Sequence, residues 1–290
     1  MSEDIFAIAE AKRMQHFSIN KANQFIRNSM NCLNVTQQRI LGCAISMLDS
    51  RPETDIVESC GENSKKSIDE QLSCEFSVDA FCKLCGIERR ASITYLAKML
   101  KDLRDTSFWM KSDSGELETF AFVDKAKINP NTGKIEIILH KDMKPYLLGL
   151  ERDFTSYKLP LILHFQSKHS YTVFDLVYSK YGENSFWYDN QRKHHSGSFQ
   201  MQIDDLKSKV AVKLGKNGKI IVGDISFKDF RINMLEPAIA DINKYTDIFV
   251  DVEYIKKGRK VELVQFNYRP KTQKELDKVP LLIEDATKIL

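Results

Sequence analysis

Residues 226–268 decide the fold of this chain, and they read SFKDFRINMLEPAIADINKYTDIFVDVEYIKKGRKVELVQFNY. In the first part, apolar residues recur at helical spacing, which predicts a long helix over 226–243. Two strand-like runs follow at 248–254 and 260–268, and the basic segment 256–259 joins them. The stretch therefore predicts a helix followed by a β-hairpin.

The predicted helix has signals at its start and near its middle. Ser226 and Asp229 match a capping box in its looser form, with Asp at the third helical position, so that the helix starts at Phe227. Pro237 should kink the helix one turn back, because proline removes a backbone hydrogen bond. One side of the helix is apolar and should face the core, namely Phe227, Phe230, Met234, Leu235, Ala238 and Ile242.

The same order of elements occurs in both halves of the chain. Each half is predicted to contain a helix, a short helix, a longer helix and a β-ribbon, which is the order of a winged helix (a helix-turn-helix with a β-hairpin appended). In the first half, the helices are predicted at 35–48, 78–85 and 90–104, and the strands at 107–110, 120–123 and 134–139. In the second half, helices at 166–181 and 199–209 precede the stretch quoted above. We predict an α+β fold with two tandem winged-helix domains.

These elements divide the chain into four parts. We predict an N-terminal arm over 1–27, a first winged-helix domain over 28–150, a second over 151–270 and a C-terminal tail over 271–290. Within the first domain, residues 50–73 are rich in Ser and acidic residues, which predicts a solvated loop. A length of 290 residues fits two domains of about 150 residues each.

Composition and charge limit the possible functions. The chain has 43 Lys and Arg residues and 40 Asp and Glu residues, and its net charge of +3 is too small to name a partner. All 6 cysteines lie within the first 85 residues, which is unlike a disulfide scaffold and favours a reduced protein. The apolar stretches are too short for a membrane span, and the N-terminus lacks the apolar region of a signal peptide. We expect a cytoplasmic protein without a membrane partner.

Positive charge is concentrated around the predicted helix and hairpin of the second half. Between residues 207 and 231 there are seven basic residues against two acidic ones, and between 256 and 274 there are seven against Glu262. A helix and a hairpin of the same sign on one side of a small domain would match a phosphate backbone. Lys216 and Lys219, which precede the helix, belong to this candidate DNA-binding set. A solvated basic surface is the alternative interpretation.

The outward face of the predicted helix carries side chains suited to DNA. Lys228, Asp229, Ile232 and Asn233 point largely outward, and Arg231 lies near the boundary with a side chain long enough to reach solvent. In a helix-turn-helix, residues near the N-terminal end of this helix meet base edges in the major groove. Arg or Lys suits guanine, Asn suits adenine, and an exposed Ile suits a thymine methyl group. For Ile232, a contact between domains is the alternative.

The patterns that suggest enzyme chemistry are incomplete. Cys82 and Cys85 have the spacing of half a zinc site, but no second pair follows, and they look like the inner face of a short helix. Residues 215–219 lack the spacing of a phosphate-binding loop, and a Lys-rich hairpin turn explains them better. His194 and His195 lie in a polar segment predicted as a loop. We expect that the protein is not an enzyme and that it has no catalytic residue, metal or cofactor. A nucleic-acid-processing enzyme that uses Cys or His with a metal is the alternative from another class.

Four segments, in this order, resemble a known family. They are LNVTQQRIL at 33–41, KPYLL at 144–148 with FTSY at 154–157, FQSKHSY at 165–171 with FDL at 174–176, and the helix 230–243 followed by KKGRKV at 256–261. From about Asn28 to Tyr268, the chain resembles the replication initiators of iteron-containing bacterial plasmids. These proteins are built from two winged-helix domains.

The resemblance implies a non-enzymatic protein that binds double-stranded DNA. Such initiators bind direct repeats (iterons) at a plasmid origin as monomers, help to open the duplex and recruit host replication proteins. As dimers, many bind an inverted operator and repress their own gene. For this chain, the resemblance implies a monomer–dimer equilibrium, a main DNA-reading domain over 151–270, and a first domain over 28–150 that dimerises and makes secondary DNA contacts.

The resemblance also implies which residues contact DNA. The helix that reads the DNA is expected at Phe227–Met234, where the base or phosphate contacts are Lys228, Arg231 and Asn233. The β-hairpin is expected to grip phosphate through Lys257, Arg259 and Lys260. In the first domain, the equivalent candidates are Arg89, Arg90, Ser92, Thr94 and Lys98.

Two positions depart from the family pattern. Members often carry consecutive basic residues after the position of Phe230, where this chain has only Arg231 followed by Ile232 and Asn233. Thr172 stands where the family commonly has an Arg in the helix that follows Gln166. The runner-up interpretation is a winged-helix transcription regulator of a plasmid or phage, without replication activity.

Overall fold

The computed structural model describes residues 2–30, 32–60, 66–88, 92–112, 114–183, 185–188, 191–214, 220–222 and 225–280. These residues fall into two compact units. The first unit comprises residues 2–25 and 36–164, and the second comprises Ile26–Val35 and Phe165–Pro280. The strand Phe154–Lys158 pairs with the strand Ser18–Ala22 inside the first unit, and the long segment of the second unit starts at Phe165.

The elements up to residue 164 follow in chain order. They are α1 (Ser2–Met14), β1 (Ser18–Ala22), α2 (Asn23–Asn28), β2 (Ser29–Met30), α3 (Val35–Ser46), α4 (Glu53–Cys60), α5 (Ile68–Gln71), β3 (Ser73–Ser77), α6 (Val78–Cys85), α7 (Ser92–Arg104), β4 (Ser107–Lys111), β5 (Leu117–Ala121), β6 (Val123–Asn129), β7 (Lys134–Leu139), a 3₁₀ turn (Lys141–Met143), α8 (Lys144–Leu147), β8 (Phe154–Lys158) and α9 (Pro160–Leu163).

Helix α6 shows how local sequence sets the helices of the first unit. The Ser77 hydroxyl accepts a hydrogen bond from the backbone N–H of Ala80 at 3.1 Å and caps the start of the helix. Gly86 ends the helix with a φ of 62°, a conformation that glycine adopts without a Cβ penalty. The short helix predicted at 78–85 is confirmed with both its signals. Each of the helices α3, α6 and α7 buries a cluster of apolar side chains. The clusters are Ile40, Leu41, Ala44 and Ile45 in α3, Ala80, Phe81 and Leu84 in α6, and Leu96, Leu100 and Leu103 in α7.

Of the three strands predicted after α7, the first and the last are present, whereas the middle one differs. Strands β3, β7 and β6 form an antiparallel sheet in the order β3-β7-β6, and β4 pairs with β5. Residues 134–139 form β7 as predicted, and its alternate residues Ile135, Ile137 and Leu139 are buried. Residues 120–123, predicted as a single strand, contain the end of β5 and the start of β6. These are separate strands, because β5 pairs with β4 and β6 pairs with β7.

Two segments of the first unit contain helices that the sequence analysis left out. Residues 2–14, within the predicted arm, form α1, which buries Ala7, Ala11 and Met14. The Glu10 carboxylate accepts hydrogen bonds from the backbone N–H of Ser77 at 3.1 Å and from its hydroxyl. The loop predicted at 50–73 contains α4 and α5, with a capping box at the start of α5, whereas residues 61–65 lie outside the described part.

The elements of the second unit continue in chain order. They are α10 (His169–Glu183), β9 (Ser185–Tyr188), β10 (Gln191–His194), β11 (Gly197–Gln202), α11 (Ile203–Val210), β12 (Val212–Leu214), β13 (Ile220–Val222), α12 (Phe227–Phe230), a π-helical turn (Arg231–Leu235), α13 (Glu236–Tyr245), β14 (Ile248–Lys257), β15 (Lys260–Pro270) and α14 (Gln273–Leu276).

The antiparallel sheet of the second unit has the strand order β11-β15-β14. The helix predicted at 199–209 begins only at Ile203, because residues 197–202 pair with β15 as a strand. In this pairing Phe199 lies opposite Phe266, and their rings stack with centroids 5.0 Å apart. Residue His194, predicted to lie in a loop, ends strand β10. The sheet positions the long β14–β15 hairpin beside α13.

Candidate nucleic-acid interface

Helices α12 and α13 and the π-turn between them form one continuous helical segment, the recognition helix (Phe227–Tyr245). Its start is confirmed where the sequence predicts it. The Ser226 hydroxyl accepts a hydrogen bond from the backbone N–H of Asp229 at 3.1 Å and donates one to Asp229 Oδ2 at 2.7 Å. An acidic residue in the first turn also interacts favourably with the helix dipole.

Pro237 distorts the recognition helix one turn before itself, as predicted, and the distortion is a widened turn. Proline has no N–H for the carbonyl of Asn233, and in a regular helix its ring would clash with that carbonyl. Arg231–Leu235 forms a π-helical turn instead, in which the backbone N–H of Glu236 bonds to the carbonyl of Arg231 five residues back. Such turns are frequent at functional sites.

The predicted contact residues of the recognition helix are exposed. Lys228 and Asn233 are exposed, Ile232 is 41% exposed, and the Arg231 side chain is 39% exposed. Arg231 Nη1 lies 3.4 Å from Glu236 Oε1. The inward face is buried as predicted at Phe230, Met234, Leu235, Ala238 and Ile242. These positions give the start of the helix a surface that is polar and cationic, with one apolar side chain.

Phe227 is the exception among the predicted core residues. It is only half-buried, and its ring packs edge-to-face against Tyr254 of β14 with centroids 5.1 Å apart. The sequence pattern assigned Phe227 to the core, because helical spacing alone does not show whether an apolar side chain packs in the core or against a neighbouring strand. The contact joins the first turn of the recognition helix to the hairpin.

Asp241 anchors the middle of the recognition helix. Its Oδ2 accepts hydrogen bonds from the backbone N–H groups of Gln166 and Ser167, both at 2.8 Å, and from the Ser170 hydroxyl at 2.6 Å. The two backbone donors lie directly before α10, and Ser170 is in its first turn, so Asp241 binds the segment that leads into this helix. Sequence analysis missed Asp241, although an acidic residue beside Ile242 on an apolar face was a usable signal.

Asn243 connects the recognition helix to β14. Its amide Nδ2 donates to the carbonyl of Val250 at 2.8 Å, and its Oδ1 accepts from the N–H of Val250 at 2.7 Å. The Asn243 side chain therefore mimics a neighbouring strand at this edge of the sheet. Together with the Phe227–Tyr254 contact, it holds the helix and the hairpin in one orientation.

The β14–β15 hairpin, which we call the wing, carries a basic tip. Strands β14 and β15 pair from Ile248 with Pro270 to Lys257 with Lys260, with a shift of register between Ile255 and Lys256, and Gly258 adopts a φ of 65° in the turn. Lys256, Lys257, Arg259 and Lys260 are all exposed. Lys257 Nζ lies 3.4 Å from Glu262 Oε1, and an exposed pair of this kind holds its lysine only weakly. The predicted hairpin and its basic tip are therefore present.

Part of the basic run between residues 207 and 231 has structural roles. Lys207 Nζ donates to the carbonyl of Ile225 at 3.0 Å, directly before the cap of the recognition helix. Lys209 Nζ donates to the carbonyl of Arg27. Lys216 and Lys219 lie outside the described residues. Among the described residues of this run, Lys213 and Lys228 are exposed, and the Arg231 side chain is 39% exposed.

The first unit presents a smaller candidate surface on α7. Thr94 and Lys98 are exposed and lie four residues apart, so they share one face of the helix. Two apolar side chains beside them are also exposed, Ile93 at 37% and Tyr95 at 41%. Ser92 is the first residue of α7, and Arg89 and Arg90 lie outside the described residues.

The thiols of Cys82 and Cys85 belong to the core. Both side chains are buried in α6, and burial raises the pKa of Cys85 to about 12, so its thiol is protonated at neutral pH. In the described part of the chain, no three His, Cys, Asp or Glu side chains are grouped as metal ligands. None of the described helices combines the length and the apolar character that a membrane crossing requires.

The helices and hairpins of the two units define a protein with two winged-helix domains. The chain belongs to the family of initiator replication proteins. The profile of the first domain, described as "Initiator Replication protein, WH1", matches residues 18–178, and the profile of the second, "Initiator Rep protein, WH2", matches residues 202–268. The family that the sequence motifs suggested is thereby confirmed.

Relatives of this chain are found among protein sequences and among solved structures. The PI protein of Escherichia coli is 27% identical over 191 residues, which cover 62% of this chain and 56% of the PI protein. The match thus spans little more than half the length of that relative. A crystal structure of the Pi initiator protein in complex with iteron DNA superposes with a TM-score of 0.66 at 19% identity, covering 89% of this chain and 99% of the other. This similarity confirms the fold.

Proposed function

We propose that this protein is a plasmid replication initiator that binds direct repeats in double-stranded DNA at the origin of its own plasmid. One observation carries the proposal: Ile232 and Asn233 are exposed, and Arg231 partly exposed, on a recognition helix that Asn243 and Phe227 hold against a wing with a basic tip. Family membership supports it, and so does the crystallised complex of the similar Pi initiator with iteron DNA.

The two exposed elements of the second unit are suited to different parts of a duplex. The start of the recognition helix offers Lys228, Arg231 and Asn233 as hydrogen-bonding groups for base edges, and Ile232 for a thymine methyl group. The wing offers Lys257, Arg259 and Lys260 to phosphates. This division predicts that the helix determines sequence preference and the wing contributes affinity.

The remaining candidates extend this surface. In the first unit, Thr94 and Lys98 on α7 are proposed to make secondary DNA contacts, together with Ser92, Arg89 and Arg90. In the second unit, Lys216 and Lys219 are proposed as further phosphate contacts.

We further propose that the protein binds repeats as a monomer, represses its own gene as a dimer through the first domain, and recruits host replication proteins.

Footprinting tests the proposal directly. The full-length protein is incubated with the DNA that adjoins its own gene, and protection from nuclease is mapped. We expect protection of tandem repeats of about twenty base pairs, two helical turns, because each of two domains reads about one turn. Protection that is uniform along the DNA at all protein concentrations contradicts sequence-specific binding.

A replication assay separates initiation from transcriptional control. A plasmid that carries the protected DNA and a resistance marker, but no other origin, is introduced into cells that express the protein. We expect it to be maintained only when the protein is supplied. If the DNA is protected but the plasmid is lost, the protein is a winged-helix regulator without replication activity.

A further inference from the structure

Arg231 and Glu236 form an ion pair that a regular α-helix would not allow. They are five residues apart, and Arg231 Nη1 lies 3.4 Å from Glu236 Oε1. At about 100° per residue, side chains five apart on an α-helix differ by about 140° around the axis and face different directions. In the π-turn, the backbone bond from Glu236 to Arg231 brings these two residues onto one side. The pair therefore depends on the turn that accommodates Pro237.

The pair lies near Tyr254 of the wing. Burial raises the pKa of Tyr254 in β14, and the charges of Glu236 and Arg231 both act on its hydroxyl. The same tyrosine ring contacts Phe227 in the first turn of the helix. Arg231 therefore lies on the recognition helix near the wing, the other element that is proposed to contact DNA.

The ion pair is too exposed to matter much for stability. The side chains of Arg231 and Glu236 are 39% and 51% exposed, and exposed pairs of this kind stabilise proteins little. The ion pair nevertheless affects the orientation of the Arg231 side chain. Recognition of guanine by Arg requires the planar guanidinium to present two parallel N–H groups to the base, and a side chain that is already oriented loses less entropy on binding.

We propose that Glu236 is a positioning residue that sets base preference at the position contacted by Arg231. Its carboxylate holds the guanidinium in one direction, and its negative charge opposes binding of Arg231 to a phosphate instead of a base. This inference rests on the proposed function, since it concerns how the same helix discriminates among DNA sequences.

The test uses the full chain and a pool of duplexes with randomised sequence. Bound duplexes are sequenced for the wild type and for the variants Arg231→Ala, Glu236→Gln and Glu236→Asp, and affinity for a single unselected duplex is measured in parallel. We expect Arg231→Ala to lose preference at one base pair, which identifies the position. Glu236→Gln should lose about two- to fivefold of the discrimination at that same base pair, as expected for an exposed ion pair. Its affinity for the unselected duplex should rise, because one negative charge near the phosphates is removed.

The variants Glu236→Asp and Glu253→Gln separate positioning from a general effect of charge. Glu236→Asp keeps a carboxylate and should retain more of the preference than Glu236→Gln. Glu253→Gln removes an equal charge from β14, where Glu253 bonds to Asn267 and not to Arg231, and should keep the wild-type preference. Glu236 is exposed, so the midpoint of urea unfolding should be the same in the Glu236 variants and the wild type.

The outcomes distinguish this inference from the proposed function. If Glu236→Gln keeps the wild-type preference at the Arg231 base pair, the inference is overturned while sequence-specific binding stands. An equal loss of preference in Glu253→Gln overturns it as well. If the wild type itself enriches no motif, the proposed function fails, and the inference fails with it.

Discussion

Asp241 and Ser170 are joined by a hydrogen bond of 2.6 Å between a buried carboxylate on the recognition helix and a hydroxyl in the first turn of α10. The same carboxylate oxygen accepts two backbone N–H groups at the start of α10. Charge-assisted hydrogen bonds of this kind are stronger than neutral ones. The bond therefore fixes the position of the recognition helix against α10 within the second unit.

Asp241→Asn should destabilise the second unit. The two backbone N–H groups and the Ser170 hydroxyl would lose a charged acceptor in a buried place, and we expect the free energy of unfolding to fall by about 1–3 kcal/mol. Urea unfolding of the full chain measures it. The matched control is Asp251→Asn on β14, which is exposed and should change stability by less than about 0.5 kcal/mol. Equal midpoints for the two variants would contradict the anchoring role.

Arg231→Ala should weaken binding to the protected repeat by about 1–3 kcal/mol, with little effect on a random duplex, because a bidentate base contact is lost. Fluorescence anisotropy with both duplexes measures the difference. Arg259→Ala, at the tip of the wing, is the control and should weaken both complexes. If Arg231→Ala weakens both complexes equally, Arg231 contacts the DNA backbone rather than a base.

Lys257→Ala should weaken binding to all duplexes alike. If Lys257 neutralises one phosphate, the slope of log K against log salt should become shallower by about one. The measurement is a salt titration of affinity for the repeat and for a random duplex. Lys257→Arg keeps the charge and should keep the wild-type slope. A slope unchanged by Lys257→Ala would place the wing tip away from phosphate.

Asp247, which follows α13, should make stability depend on pH. Burial raises the pKa of this carboxyl, although the hydrogen bond from the Tyr178 hydroxyl and the charge of Lys271 act in the other direction. Since the folded pKa is raised, the stabilisation is complete below the unfolded value of about 3.9 and is lost as the pH rises through the folded value. In Asp247→Asn this loss is absent.

Urea unfolding at pH 4 and at pH 7 tests this prediction. The midpoint of Asp247→Asn, compared with that of the wild type, should increase between pH 4 and pH 7. Asp251→Asn, on exposed β14, should show no such relative increase. A difference between Asp247→Asn and the wild type that is the same at both pH values would show that the carboxyl does not titrate in this range.

Helix starts and ends were predictable because their causes lie within a few residues. Ser77 with Gly86, and Ser226 with Asp229, act on their own helices in the structure as the sequence indicates. Residues 199–202 show the limit of such local signals. Their spacing also suits a helix, and only pairing with β15, more than sixty residues further along the chain, makes them a strand.

For the candidate site, the sequence alone determined which side chains are exposed at the start of the recognition helix and at the tip of the wing. Helical periodicity and the hairpin turn depend only on neighbouring residues, and a single sequence contains them. Tertiary structure decided how these side chains are held. The Asp241 anchor and the Asn243 bond to Val250 depend on the packing of α10 and the wing against the recognition helix. Such contacts join groups whose relative positions no local pattern specifies.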